Sequence, residues 1–272
     1  MGDNAMRTMR RLRSEIGFIA HLIRLNLASN MEYRASFLMQ AVGMFLNNGI
    51  YFVFWLLFFD RFQEIRGYQI DQIFLLFAIV ALGWGLAFTF AGNAARVAEM
   101  VAQGRLDYYL TLPRPVLPHL VFSRMDPFTV GDLTFGVIAY LFTGRYDLPS
   151  IVLFLVCALL AAVIFAAFFA AAGCLAFFVG NATQWSNYLA NSVVTFALYP
   201  FGLFQGAIRL ILYTLVPAAF VGAIPVQVVQ THNLTLLGGL SAAALGSTLV
   251  LGIIFRLGLR RYESGSAINV NI

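Results

Sequence analysis

Residues 151–179, IVLFLVCALLAAVIFAAFFAAAGCLAFFV, contain no charged side chain and nothing more polar than Cys157 and Cys174. A run of this length exceeds what the core of a water-soluble domain absorbs, whereas a bilayer's hydrocarbon takes about 20 such residues as a helix. Lipid offers the backbone no hydrogen bonds, so the segment must satisfy its own. The rest of the chain agrees. It is 61% hydrophobic and only 11% charged, where soluble domains carry roughly 25% charged residues, and its mean hydropathy is +0.83.

Six apolar runs predict six transmembrane helices in an all-α, polytopic membrane protein. They cover about Ser36 to Phe59, Gln72 to Gly92, Pro127 to Phe142, Ile151 to Val179, Ser186 to Phe204 and Leu234 to Phe255. "SRMDPF" predicts the start of the third, with Asp126 as N-cap and Pro127 at the first helical position. The stretch 206–229 is apolar but carries Pro217 and Pro225. A full crossing there would throw the C-terminal arginines to the other side. It reads as a re-entrant outer segment of two short pieces, which survives at depth only where protein buries it or it lines a cavity.

Arginine placement orients the spans. Arg7, Arg10, Arg11, Arg13, Arg24 and Arg34 precede the first. Arg96, Arg105, Arg114 and Arg124 lie between the second and third, and Arg256, Arg260 and Arg261 follow the sixth. Only Arg61, Arg66, Arg145 and Arg209 fall on the opposite side. Both termini and the 93–126 loop are therefore expected in the cytoplasm, with the chain in the cell (inner) membrane. Residues 1–35 form a separate element ahead of the 36–272 transmembrane domain. Met9, Leu12, Ile16, Ile19, Ile23 and Leu27 recur at helical spacing, as in an amphipathic helix lying in the interface. No cleavable signal peptide is expected.

All 17 basic residues are arginine. Without lysine the chain lacks the phosphate-binding residue of a P-loop, and Schiff-base catalysis is excluded. His119 and Asp126 are separated by a helix break at Pro127, His21 and His232 fall on opposite sides, and no cluster has metal-ligand spacing. No catalytic residue, metal, bound cofactor or nucleic-acid partner is expected. On one helix Cys157 and Cys174 would lie about 25 Å apart, too far for a disulfide.

Ala158, Ala162, Ala166, Ala170 and Cys174 repeat every fourth residue, a packing seam. Asn187, Asn191 and Thr195, extended by Tyr199, form a polar row that either lines a translocation cavity or glues two helices. Asn47, Asn48 and Thr89 are weaker cases. Asp132 is the carboxylate placed well inside a predicted span. Its functional reading competes with a structural pairing to an arginine such as Arg124.

The loop "NAARVAEMVAQGRLDYYLTLPRPVLPHL" is the chain's unusual feature. Ala94 to Gln103 can continue as a helix, and Gly104 is a suitable stop. Leu106, Tyr108, Tyr109 and Leu110 offer apolar anchors beside Arg105 and Asp107, while Pro113, Pro115 and Pro118 stiffen the return. A rigid element of this kind suits docking to a protein partner, or else rests on lipid headgroups.

"GRLDYYLTLPRP" between the second and third spans, the amphipathic first helix and the tail "GLRRYESG" (258–265) together resemble the permease subunits of ABC exporters, the class that includes daunorubicin-resistance and polysaccharide exporters. The resemblance implies a dimer of identical or homologous permeases, each bound to one of two copies of an ABC ATPase subunit that holds ATP and Mg²⁺. It implies that Glu99, Gln103, Gly104, Arg105, Leu106, Asp107 and Tyr108 form the coupling helix seated on that ATPase. It also makes Asn187, Asn191, Thr195 and Asp132 candidates for the translocation pathway and 206–229 for an outer gate. An ion-coupled secondary transporter and a non-transporting scaffold are the alternatives.

Overall fold

The computed structural model describes residues 2–62, 64–65 and 67–263, with side chains from Arg13 onward. Arg66, the tail from Ser264, and the side chains of Arg7, Met9, Arg10, Arg11 and Leu12 lie outside the described residues. Among the described residues all regular structure is helical, apart from an isolated bridge between Ile65 and Tyr68.

The chain opens with α1 (Gly2–Glu32), α2 (Arg34–Arg61) and α3 (Ile70–Phe90). A 3-10 turn (Gly92–Arg96) leads into α4 (Val97–Ala102), α5 (Leu106–Leu110) and α6 (Val116–Phe122). Then come α7 (Thr129–Leu141), α8 (Leu148–Gly173), α9 (Ala176–Val179) and α10 (Thr183–Ala197). A second 3-10 turn (Phe201–Leu203) precedes α11 (Gly206–Thr214), α12 (Ala218–Val221), α13 (Ala223–Thr231) and the closing α14 (Leu234–Leu259).

Four segments are long and apolar enough to cross a membrane: α2, α3, Leu148–Val179 and α14. The helices at the third and fifth expected spans have only 13 and 15 residues. Their rise is about 20 Å, short of a hydrocarbon layer about 30 Å thick. Helix length therefore supports four of the six expected crossings.

Helix α3 is apolar on all sides and sits at the centre, with Ile73, Leu75, Ala78 and Ile79 fully buried. Glycines let its neighbours approach. A methyl on Gly136 of α7 would lie 2.6 Å from the Leu82 backbone nitrogen, and one on Gly85 of α3 would lie 2.7 Å from that of Leu133. On the other side, a methyl on Gly83 would meet Ala161 at 3.0 Å and the Ala158 carbonyl at 3.2 Å. In the α8 seam Ala158, Ala162, Ala170 and Cys174 are buried and Ala166 is half-buried, and both cysteines are free thiols.

Several local expectations are corrected. The third expected span starts at Thr129, with Phe128 as its cap and no side-chain cap bond. Asp126 does not cap it, because its carboxylate is taken by Arg96 at 2.8 Å. The fourth run breaks after Gly173, where the chain passes Val97 so closely that a methyl would lie 2.6 Å from its Cβ. The fifth stops at Ala197 rather than Phe204, since Pro200 cannot continue a helix. Residues 206–231 form three short helices rather than two, broken at Pro217 and Gly222. Pro225 falls in the first turn of α13, where its missing N–H has no partner to lose.

The helices alternate between two ends of the bundle. One end holds α1, α4, α5 and α6. The other carries Arg145 with Asp71 at 3.5 Å, Ser150 with His232 at 2.9 Å, and Gln72 with Gln230 at 3.3 Å. Helix α1 turns Phe18 and Asn26 toward α6, where Phe18 meets His119 at 4.9 Å and Asn26 donates to the Phe122 carbonyl at 3.4 Å. Ile16 and Leu27 of the expected apolar row remain exposed.

Candidate functional site

Between α2, α3, α7 and α10 lies a cavity of about 710 Å³. Asp132 is carried there by the first turn of α7 and is 2% exposed. Its Oδ1 accepts a hydrogen bond from Asn48 Nδ2 at 2.6 Å, so the expected alternative partner Arg124 is replaced by an amide from α2. Its Oδ2 is buried without a hydrogen-bond partner, as is the Trp84 indole nitrogen.

Asn191 and Thr195 reach this cavity, together with Tyr199. Asn187 does not line it; its backbone carbonyl instead accepts from the Asn191 amide at 2.8 Å, while Thr195 donates to the Asn191 carbonyl at 3.1 Å. The α2 amides Asn47 and Asn48 line the cavity as well. Sequence reasoning missed its aromatic wall, Tyr51, Phe54, Trp55 and Trp84. A signal was available in "GWG" at 83–85, a lone indole set between two close-packing glycines.

The second candidate element is the 93–126 segment. Helix α4 ends in a full Schellman arrangement: Arg105 N–H bonds to the Met100 carbonyl at 3.0 Å and Gly104 N–H to Val101 at 3.2 Å. Gly104 takes φ +69°, the left-handed geometry that closure requires. The chain then re-enters a helix at once, and α5 is anchored from below. Leu106 is fully buried and Tyr109 nearly so, with the Tyr109 hydroxyl 2.8 Å from Ser123 Oγ. Asn93 donates to Ser123 Oγ at 2.7 Å and to the Leu120 carbonyl at 3.1 Å.

Of the residues implied for coupling, Gln103, Arg105 and Tyr108 are exposed, while Glu99, Gly104 and Asp107 are half-buried. Leu106, expected among the apolar anchors of the loop, is fully buried in the core of its own chain. Tyr108 is 64% exposed and Leu110 44%. Asp107 faces inward to the C-terminal end of the chain. Burial and the neighbouring Asp107 carboxylate push the Tyr262 phenol up to about 12, and its ring stands edge-on to Phe177 at 6.0 Å.

This segment is bonded to the bundle at its roots. Gly92 N–H donates to the Arg124 carbonyl at 2.9 Å, Asp126 N–H to that of Phe88 at 3.1 Å, and the Thr89 and Thr129 hydroxyls meet at 2.8 Å. Asp126 is also 3.8 Å from Arg124. Burial raises its pKa, and the Arg96 guanidinium pulls it back. Among the described residues no three His, Cys, Asp or Glu side chains form a group that could hold a metal.

His119 is the titratable group against which α1 is seated. It lies between Phe18 and Tyr109, edge-on to both at 4.9 and 5.1 Å. Burial lowers its pKa, Arg114 lowers it further and Glu15 opposes them. The folded state thus favours the neutral ring, while the unfolded state takes up a proton near pH 6.5. Stability is full above that pH and is lost as pH falls toward the depressed folded value. Thermal midpoints are expected to drop between pH 7.5 and pH 5, with a shallower drop in His119→Phe; equal slopes would refute this.

The family model described as ABC-2 family transporter protein matches residues 45–266. No curated protein and no solved structure matches the chain. The matched stretch takes in the cavity lining apart from Met44, the 93–126 segment and all four membrane-length segments save the start of α2, so the chain belongs to the ABC-2 transporter family and is a multi-pass transmembrane permease of an ABC transporter.

Proposed function

We propose that this chain is the permease subunit of an ABC exporter in the cell (inner) membrane, working as a dimer of identical or homologous permeases on two copies of an ATPase subunit. The observation that carries the proposal is the two-sided build of α5. Leu106 and Tyr109 lock it to the bundle, while Arg105, Tyr108 and Leu110 are left facing outward. A rigid element that presents an aromatic and a cation suits a groove on a partner protein. With no lysine in the chain, ATP and Mg²⁺ belong to that partner.

In this reading both termini and the 93–126 loop are cytoplasmic and α1 lies in the interface. Six segments cross, with α7 and α10 completed by their flanking turns, and residues 206–229 re-enter from the outer face. Closure of the ATPase pair displaces α5. Through Tyr109, Ser123 and Asn93 the displacement passes to the α3–α7 junction, where the Thr89–Thr129 and Asp126–Phe88 bonds tie the two helices together. Asp132 follows one turn later, so movement of the hook shifts the cavity lining. Glu99, Gln103, Gly104, Arg105, Leu106, Asp107 and Tyr108 make up the coupling element, and Asp132, Asn191 and Thr195 the pathway, with Asn187 beside it.

The buried Asp132 carboxylate favours an ion-coupled transporter as the second reading. Vesicles holding this chain and an ABC ATPase distinguish the two. Transport is expected to require hydrolysable nucleotide and to persist after ionophores collapse ion gradients. Transport that follows an imposed gradient without nucleotide would overturn the proposal.

A further inference from the structure

The cavity between α2, α3, α7 and α10 has a chemical bias of its own. Asp132 is almost wholly buried in its wall, with Oδ1 held by Asn48 and Oδ2 unpartnered. Among the described residues it makes no ion pair. One amide hydrogen bond does not compensate a carboxylate at such a depth, which needs a counter-charge and further donors. Close by are the rings of Tyr51, Phe54, Trp55, Trp84 and Tyr199, whose faces attract cations.

We propose that this cavity binds an organic cation bearing aromatic or other bulky apolar groups, with the Asp132 carboxylate as its counter-ion. The inference rests on the transporter reading above and names the class of ligand that would move. A volume of about 710 Å³ falls within the range of sites for drug-sized molecules. An inorganic cation fits poorly, because a hard cation asks for about six oxygen ligands converging on a point, whereas a single carboxylate sits here among amides and rings. An organic anion would meet the Asp132 charge with no arginine or histidine to offset it in the lining.

The test uses two ions of nearly the same size and shape and opposite charge, tetraphenylphosphonium and tetraphenylborate. Equilibrium dialysis against the purified full-length chain in detergent, corrected by a detergent blank, is expected to show at least tenfold tighter binding of the phosphonium. Asp132→Asn keeps the shape and the bond to Asn48 while removing the charge. It is expected to weaken phosphonium binding at least tenfold and to leave borate binding equal or stronger, which also reports an intact cavity. Equal affinities in the wild-type chain need no variant to interpret and overturn the inference, as does an unchanged preference in Asp132→Asn. Association with an ABC ATPase is measured on the same preparation. Loss of the cation preference with ATPase association intact removes the ligand class alone. A cation preference without ATPase association removes the exporter reading and leaves the site.

Discussion

Gly131→Ala is expected to lower the thermal midpoint of the purified chain by on the order of 10 °C, the equivalent of roughly 3 kcal/mol. The added methyl would lie 2.2 Å from the Ala41 carbonyl oxygen and 2.8 Å from the Phe45 nitrogen. Both atoms belong to the α2 backbone, so no rotamer change relieves the clash and the helices must part. The effect reaches the cavity, since Asp132 follows Gly131 and Asn48 lies one turn beyond Met44 on the facing helix. Their 2.6 Å hydrogen bond would open with the helices. Gly43→Ala and Gly49→Ala on α2 are the controls, because a methyl at either position meets nothing within 4 Å. A midpoint for Gly131→Ala within the spread of those controls would show that α2 and α7 do not cross this closely.

Tyr108→Ala is expected to leave the chain folded and to weaken its association with the ATPase about thirtyfold, as loss of a roughly 2 kcal/mol interface anchor does. The ring is 64% exposed and its nearest aromatic neighbour is Tyr109 at 5.2 Å, so little intramolecular packing is lost. Leu106→Asp acts differently. Leu106 is 0% exposed, and a carboxylate forced into its place has no counter-charge, which costs several kcal/mol. That variant should fail as a protein before it fails as a docking surface. Folded Tyr108→Ala chains that bind the ATPase and support transport normally would sink the coupling role of α5.

The places where sequence reasoning stopped share a cause. Asp126 carries every local mark of an N-cap, yet Arg96, thirty residues upstream, offers the carboxylate a charge, a stronger partner than an orphan backbone N–H. In α5 the alternation of Leu106, Tyr108, Tyr109 and Leu110 gives no inside, because a five-residue helix has as many faces as it has neighbours. Only the cover from Ser123 and the bundle decides that Leu106 and Tyr109 point in. Asn48 and Asp132 are 84 positions apart and became a pair because Gly131 lets α2 and α7 touch.

Sequence by itself determined that this chain lies in lipid and where its long helices run. Those follow from single-residue transfer energies and backbone hydrogen bonding within a segment. Tertiary structure alone decided which polar residues meet in the cavity, which face of the loop is free, and where the broken helices stop. These depend on contacts between distant segments, and such contacts are settled by how closely backbones approach at a few glycines rather than by any local pattern.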